Sequence, residues 1–274
     1  MSAEGHPEES PLAVIAGRGA YPLLLAESAR RQGVPRIVVM AFRGETPRRI
    51  ERSADETVWL RVGELEALLE ALRSSGVKRA VMAGQIAPRN LFRVRMDRRA
   101  RELLQRLPAW NAHTIFGAVV EELRAAGIEV EPAARYMEAH LAGRGTLTRR
   151  APGEREARDI ELGWEAAGRI GELDIGQTVV VKDGTILAVE AFEGTNRTLR
   201  RAGRLGGRGA VMIKRAKPGH DMRFDIPVLG VRTIRVLRRI RAGAVALEAG
   251  RAIMLEKEKV CAEADRAGLA IVVR

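Results

Sequence analysis

A chain of 274 residues holds one large domain or two ordinary ones; its 46% hydrophobic content, with only 4% aromatics, supplies aliphatic cores and argues against base-stacking modules for single-stranded nucleic acid. Its 47 Lys+Arg against 35 Asp+Glu give a formal charge of +12, which favours anionic partners, but the cations are spread along the chain without a helix-turn-helix, zinc-finger or RNP signature, so no nucleic-acid partner is expected. Cys261 is the single cysteine and excludes an intrachain disulfide; no apolar run approaches the ~20 residues of a membrane span, and the polar, acidic start MSAEGHPEESP is not a signal peptide, so a soluble cytoplasmic protein is expected.

After a lead-in over residues 1–10, Leu12–Ala16 reads as a short apolar strand ending in Gly17-Arg18-Gly19. Tyr21-Pro22 opens a helix through Arg31, stopped by Gly33, with proline at the start and glycine past the end. Ile37–Ala41 is the next strand. Glu64–Arg73 is a helix, with apolar residues at 65, 68, 69 and 72 on one face. Arg79–Ala83 is a strand followed by Gly84. This alternation predicts a parallel, Rossmann-like sheet with helices on its faces. The glycines after two of its strands lie at the carboxyl edge, where such sheets take ligands. G-R-G-A-Y-P lacks the third glycine of a dinucleotide fingerprint, which argues against a nicotinamide cofactor; the turn is either a plain tight turn or a backbone-amide pocket at a helix start. Residues 93–106 form a basic helical stretch with an apolar side, readable as solvent face or as membrane surface. His113–Ala126 is a helix and Ile128–Val130 a strand. His113 has no second His or Cys at ligand spacing and reads as a cap or packing residue.

Residues 142–153 gather glycine, proline and threonine where periodicity lapses. The expected organisation is an N-terminal domain over 11–138, a linker over 139–153 and a C-terminal domain over 154–274. The second half opens with a helix, Arg155–Glu172, then a hairpin of Gln177–Val181 and Ile186–Phe192 turning at Asp183-Gly184. Thr195 or Asn196 is the expected cap of the following helix. Gly203–Gly209 reads as a mobile loop; it is not a P-loop, because no Lys-Ser/Thr follows. Strands at Ala210–Ile213, Val245–Glu248, Ile253–Leu255 and Ala270–Val273, with helices at Thr233–Arg241 and Lys257–Arg266, complete a mixed half, α+β or α/β.

The stretch Lys214–Gly230 concentrates chemistry: Lys214, Arg215, Lys217 and Arg223 beside Asp221, Asp225 and His220, between apolar runs. Cations facing carboxylates suit a diphosphate with Mg²⁺, or form a solvated loop with ordinary ion pairs.

K-R-A-K-P-G-H-D-M-R-F-D-I-P-V-L-G at 214–230 resembles the LpxI family. So do D-I-G-Q-T-V-V-V-K-D-G at 174–184, L-A-V-E-A-F-E-G-T-N at 187–196, I-A-G-R-G-A-Y-P at 15–22, V-M-A-G-Q-I at 81–86 and A-G-A-V-A-L-E-A-G at 242–250. That family comprises UDP-2,3-diacylglucosamine pyrophosphatases of lipid A synthesis. The resemblance implies an α/β protein of two domains, an N-terminal Rossmann-like parallel sheet and a C-terminal mixed α/β catalytic domain, with the active site between them and a homodimeric assembly. It implies water attack on the diphosphate of a lipid-linked nucleotide sugar, with Mg²⁺ as cofactor; the surplus positive charge, with a lipid-bearing substrate, then leads us to expect docking on an anionic membrane surface, peripheral to the inner membrane. Asp225 falls on the family's catalytic aspartate, and Asp221 lies in the same motif. Gly17, Gly19, Gly84, Thr195, Lys214, Lys217 and Arg223 match positions expected to hold substrate. Asp225, Glu190 and Glu193 are the expected metal carboxylates. Departures are His220-Asp221 for a common Q-D, Asn196 for an aspartate, and Asn111-Ala112-His113 for an acidic G-D-D. A paralogue that binds a UDP-sugar or lipid without hydrolysing it is the alternative they leave.

Overall fold

The computed structural model describes residues 10–86, 95–217, 223 and 226–274, without the side chains of 112 and 113. Asp221, Asp225 and His220 therefore lie outside the described residues. The chain divides into two compact units that meet in sequence between Met137 and Glu138.

In the first unit five strands, β1 (Leu12–Ala16), β2 (Ile37–Phe42), β3 (Glu56–Leu60), β4 (Arg79–Ala83) and β5 (Glu129–Glu131), form a sheet in the order β3-β2-β1-β4-β5. All its pairings are parallel. β1, β2 and β4 are buried along their whole length, as expected of strands covered by helices on both faces. β3 is an edge strand whose Glu56 is exposed; its polar start explains why the apolar pattern does not reveal it. The order reverses between β1 and β4, the topological switch point of such sheets.

α1 (Tyr21–Arg31) carries Pro22 in its first turn and Arg30 and Arg31 in its last, which suits the helix dipole. α2 (Leu65–Ser74) buries Leu65, Leu68, Leu69 and Leu72, the spacing of one helical face. The basic stretch yields α3 (Arg98–Gln105), capped by Asp97, whose carboxylate accepts from Ala100 N at 2.8 Å and from Glu66 N at 2.8 Å. α4 (Ala112–Ala125) is capped by Asn111, which accepts from Thr114 N at 2.8 Å. The cap is thus Asn111 and not His113.

The second unit has a six-stranded sheet. Its strands are β6 (Gly145–Thr146), β7 (Thr178–Lys182), β8 (Thr185–Val189), β9 (Val211–Lys214), β11 (Ala244–Leu247) and β13 (Ala270–Val273), in the order β6-β13-β11-β9-β7-β8. The centre is parallel, while β7, β8 and β6 are added antiparallel. β10 (Val228–Leu229) and β12 (Ile253–Met254) make a separate parallel pair. α5 (Glu154–Glu172) covers one face with a core of Ile160, Val181, Ile213 and Ala246. α6 (Thr195–Gly206), α7 (Val231–Arg239) and α8 (Lys257–Arg266) accompany the other core, with Leu199, Met212, Leu237 and Val260. Met212 and Ile213 go to opposite cores because strand side chains alternate. The chain is therefore an α/β protein with a Rossmann-like parallel sheet and a mixed sheet.

Three local expectations change. The residues expected as a linker are tied to this second sheet: Leu147 N donates to Ile271 O at 2.9 Å, and Thr148 Oγ1 accepts from Ile271 N at 2.9 Å. Arg150 grips the Glu156 carboxylate at 2.7 and 3.0 Å. The Gly203–Gly209 stretch is not a loop throughout, since α6 runs to Gly206. A Cβ on Gly203 would lie 2.4 Å from Ile240 Cγ2, and one on Gly206 2.3 Å from Leu187 Cδ1. Those glycines serve close packing, and the turn begins only at Gly207, φ +65°. Finally, α6 is capped by Gly194, φ 81°, with no side-chain cap from Thr195 or Asn196.

Candidate active site

Lys214 ends β9, and the antiparallel register places it opposite Thr178 at the start of β7. An ammonium buried there must find partners. Its Nζ donates to Thr195 Oγ1 at 3.0 Å and Thr178 Oγ1 at 3.3 Å. Thr195 Oγ1 in turn donates to Glu190 Oε1 at 2.8 Å. Glu190 Oε2 lies 3.8 Å from the ammonium, with side-chain exposures of 6% for Lys214 and 12% for Glu190. Glu190 follows β8 and is fixed by its own N–H, which donates to Thr178 O at 2.8 Å. The backbone there is crowded: a Cβ on Gly176 would meet Glu190 O at 2.1 Å. Thr195, Glu190 and Lys214, distant in sequence, thus meet where β9 ends and α6 begins.

Glu190 Oε2 in this group and Asn196 Oδ1, next to Thr195 in sequence, are buried without a hydrogen-bond partner among the described residues. Unpaired buried acceptors are costly, so the cluster is set to receive a donor. The first N–H groups of α6 add uncapped positive charge. The cluster can therefore meet an anion with the ammonium and helix start, and a hydroxyl or amide N–H with the two oxygens.

Glu193 stands apart. Its carboxylate accepts from Arg201 at 2.6 Å and from Ala191 N at 3.2 Å. Burial opposes its ionisation, but the Arg201 hydrogen bond and the backbone N–H groups outweigh it and hold the carboxyl below its ordinary value. Lys217 pairs with Asp174. Arg223 is half-buried in a turn. Glu248, not singled out from the sequence, receives Ala216 N at 2.9 Å and lies 3.6 Å from Arg251. It anchors the chain just after Lys214; nothing local in the sequence marks it.

Mg²⁺ takes a set of hard oxygen ligands. Glu190 already faces an ammonium and Glu193 a guanidinium, and among the described residues no three His, Cys, Asp or Glu gather as a metal group. The described residues do not form a Mg²⁺ site by themselves.

In the first unit the predicted glycines meet at the switch point. Gly17 N donates to Ala83 O at 2.7 Å and Arg18 N to Gln85 O at 2.8 Å. A Cβ on Gly17 would lie 2.7 Å from Gln85 O, and one on Gly84 2.7 Å from Arg18 O. Gly17 and Gly84 let two backbones touch, and the Gly17 and Arg18 N–H groups are spent inside the turn. Gly19, φ +94°, has open space around it and leads into α1, whose start no side chain caps. Those first-turn N–H groups are the ones free for an anion. Arg18, not singled out from the sequence, pairs with buried Glu45 and donates to Gly44 O at 3.2 Å.

The comparisons agree with this architecture. The LpxI N-terminal domain matches residues 11–140 and the LpxI C-terminal domain residues 143–272. UDP-2,3-diacylglucosamine pyrophosphatase LpxI of Caulobacter vibrioides is 32% identical over 272 residues, 95% of this chain and 96% of that protein. Among solved structures, the biotin carboxylase domain of Hydrogenobacter thermophilus 2-oxoglutarate carboxylase is 14% identical, over 73% of this chain and 41% of its own, with a TM-score of 0.29. The biotin carboxylase subunit of pyruvate carboxylase is 12% identical, over 73% and 43%, also at 0.29. The chain spans less than half of either structure, and likeness at that level carries no argument. With both of its domains matched in order across nearly its full length, the chain belongs to the LpxI family.

Proposed function

We propose that the protein hydrolyses the diphosphate of UDP-2,3-diacylglucosamine to UMP and 2,3-diacylglucosamine 1-phosphate in lipid A synthesis. The observation that carries this is the end-to-end match to a relative of that name, together with a buried lysine held beside orphan acceptors.

The reaction is addition of water to phosphorus with rupture of a P–O bond of the anhydride. Negative phosphoryl oxygens repel the incoming water, so catalysis is chiefly charge neutralisation and positioning. Lys214 supplies a fixed positive charge whose orientation is set by Thr178 and Thr195. Lys217, paired with Asp174, and Arg223 add cations from the same stretch. Glu190 Oε2 and Asn196 Oδ1 accept from hydroxyl or amide groups of the substrate. Gly17, Gly19 and Gly84 shape the turn before α1, whose first N–H groups receive an oxyanion. Asp225 orients or deprotonates the water, with Asp221 beside it in sequence.

The reading includes a requirement for Mg²⁺, with Asp225 as its principal carboxylate, because Glu190 and Glu193 are engaged by cations. When bound, Mg²⁺ supplies neutralisation of phosphoryl charge. It also includes a homodimer, and a peripheral station on the cytoplasmic face of the inner membrane. Among the described residues no helix is long and apolar enough to cross a membrane.

The test is incubation with UDP-2,3-diacylglucosamine and Mg²⁺, with and without chelator, following UMP. UMP release that the chelator abolishes is the expected result. Asp225→Ala should stop release while the circular dichroism spectrum is unchanged; undiminished turnover would remove Asp225 from the chemistry. Tight binding of the UDP-sugar with no UMP formed would instead identify a non-hydrolysing paralogue, a reading that Asn196 in place of an aspartate favours.

A further inference from the structure

A second basic feature lies at the other end of α6. The last turns of α6 and α7 border an open groove of about 660 Å³, lined by Arg200, Arg204, Arg208, Arg239, Arg241 and Ile240. Among the described residues no carboxylate lines it. All five arginines are exposed, and each lacks an ion pair among the described residues, whereas their neighbours Arg201 and Arg238 pair with Glu193 and Glu263.

The groove is built into the fold. Gly203 lets Ile240 close the floor, where a Cβ would stand 2.4 Å from it. Gly209 N donates to Arg241 O at 2.7 Å, which ties the far wall to the near one. Arg241 itself holds a left-handed backbone, φ 53°, a conformation usually left to glycine or asparagine. Like charges gathered without counter-charge repel one another. Arginines at helix ends offset part of that through the dipole, but an exposed dipole interaction on each helix does not account for five guanidinium groups converging on one space.

We propose that this groove is a docking surface for anionic phospholipid headgroups. Guanidinium groups match phosphate in bidentate geometry, and an anionic leaflet presents phosphates as a dense array. Leu205, next to Arg204 in the last turn of α6, is 66% exposed; an apolar side chain exposed beside arginines fits the boundary between headgroups and acyl chains. Among the described residues the groove has no aromatic side chain on which a nucleic-acid base could stack. The choice of a lipid surface rests on the proposed lipid-linked substrate; the charge and geometry do not depend on it.

The test is co-sedimentation of the full chain with phosphatidylcholine vesicles, with and without phosphatidylglycerol, and in parallel with duplex DNA. The groove variant is Arg200→Gln/Arg204→Gln/Arg239→Gln; the control is Arg48→Gln/Arg49→Gln, two exposed arginines of the other unit. Each cation near an anionic leaflet contributes several-fold to binding, so the groove variant should lose on the order of a hundredfold in affinity for phosphatidylglycerol vesicles. The control should lose far less, in line with a smaller nonspecific charge effect. Equal losses per charge in both variants, unchanged vesicle binding by the groove variant, or a loss confined to DNA would each overturn the proposal. UMP release from detergent-dispersed UDP-2,3-diacylglucosamine is read separately: it should persist in the groove variant. Absence of UMP release in the parent would sink the hydrolase reading and leave the vesicle result standing.

Discussion

Replacing Lys214 by methionine tests whether the cluster at the start of α6 is a coupled unit. The ammonium and the Glu190 carboxylate lie 3.8 Å apart with both side chains largely buried. At an effective dielectric of about 20 that separation corresponds to roughly 4 kcal/mol of attraction. Much of it offsets the cost of taking both charges out of water. Methionine fills nearly the same volume but leaves Glu190 buried without its cation, and Thr195 and Thr178 without their donor. Removing one member of such a pair costs about 3–5 kcal/mol, while replacing both is often near neutral. Lys214→Met should therefore destabilise the second unit by about 3 kcal/mol, and Lys214→Met/Glu190→Gln should recover roughly 2 kcal/mol of that. Trp164, in α5, is the one tryptophan of this unit, the others being Trp59 and Trp110. Urea unfolding in a Trp59→Phe/Trp110→Phe background reports its fluorescence, and thus this unit. If the losses of the two single variants simply sum in the double variant, the pair is uncoupled and the cluster is an accident of proximity.

Other outcomes follow from single contacts. Gly17→Ala and Gly84→Ala each drive a methyl into backbone at 2.7 Å and should cost about 2 kcal/mol of first-unit stability. Gly19→Ala meets open space at φ +94° and should cost about 1 kcal/mol. Urea melts followed at Trp59 rank them, and a Gly19 variant less stable than Gly17 would refute the close-approach reading. Burial opposes ionisation of Glu156, but the Arg150 guanidinium and Gly153 N–H outweigh it and hold the carboxyl below its ordinary value. A folded value below the unfolded one gives stability that is present at neutral pH and lost as pH falls through the folded value. Glu156→Gln should remove that part of the acid-side loss, read as a flatter fall in Tm below the ordinary carboxylate range; an unchanged slope would count against it.

The parts of this fold legible in the sequence are those where one pattern has one physical cause. β1 is an unbroken apolar run and β4 is apolar after Arg79; both are buried along their length and followed by glycine, and their limits coincide with the reading. β3 escaped because an edge strand is half solvated, so Glu56 and Thr57 hide its period. The misread places are mostly glycines. Gly203 and Gly206 look like chain breakers, yet they lie within a helix because Ile240 and Leu187 occupy the space a Cβ needs. A local window cannot distinguish a glycine needed for its backbone angle from one needed for its missing side chain; only the partner 37 residues on, or across the sheet, decides it. Gly194 is the reverse case, a glycine that caps by its positive φ where neighbouring Thr195 and Asn196 seemed better caps.

That swap has a chemical consequence. A threonine used as a cap has its hydroxyl turned onto its own helix. With Gly194 in that place, Thr195 is free to join Lys214 to Glu190, and Asn196 keeps an unpaired oxygen buried beside the helix start. In the first unit Asn111 does take the cap, so the same residue type at two helix starts serves structure in one and is left available in the other. The position of asparagine relative to a glycine, more than its identity, separates the two roles. A Gly194→Ala substitution, forced off φ 81°, should therefore disturb the Lys214 cluster even though alanine is a better helix former.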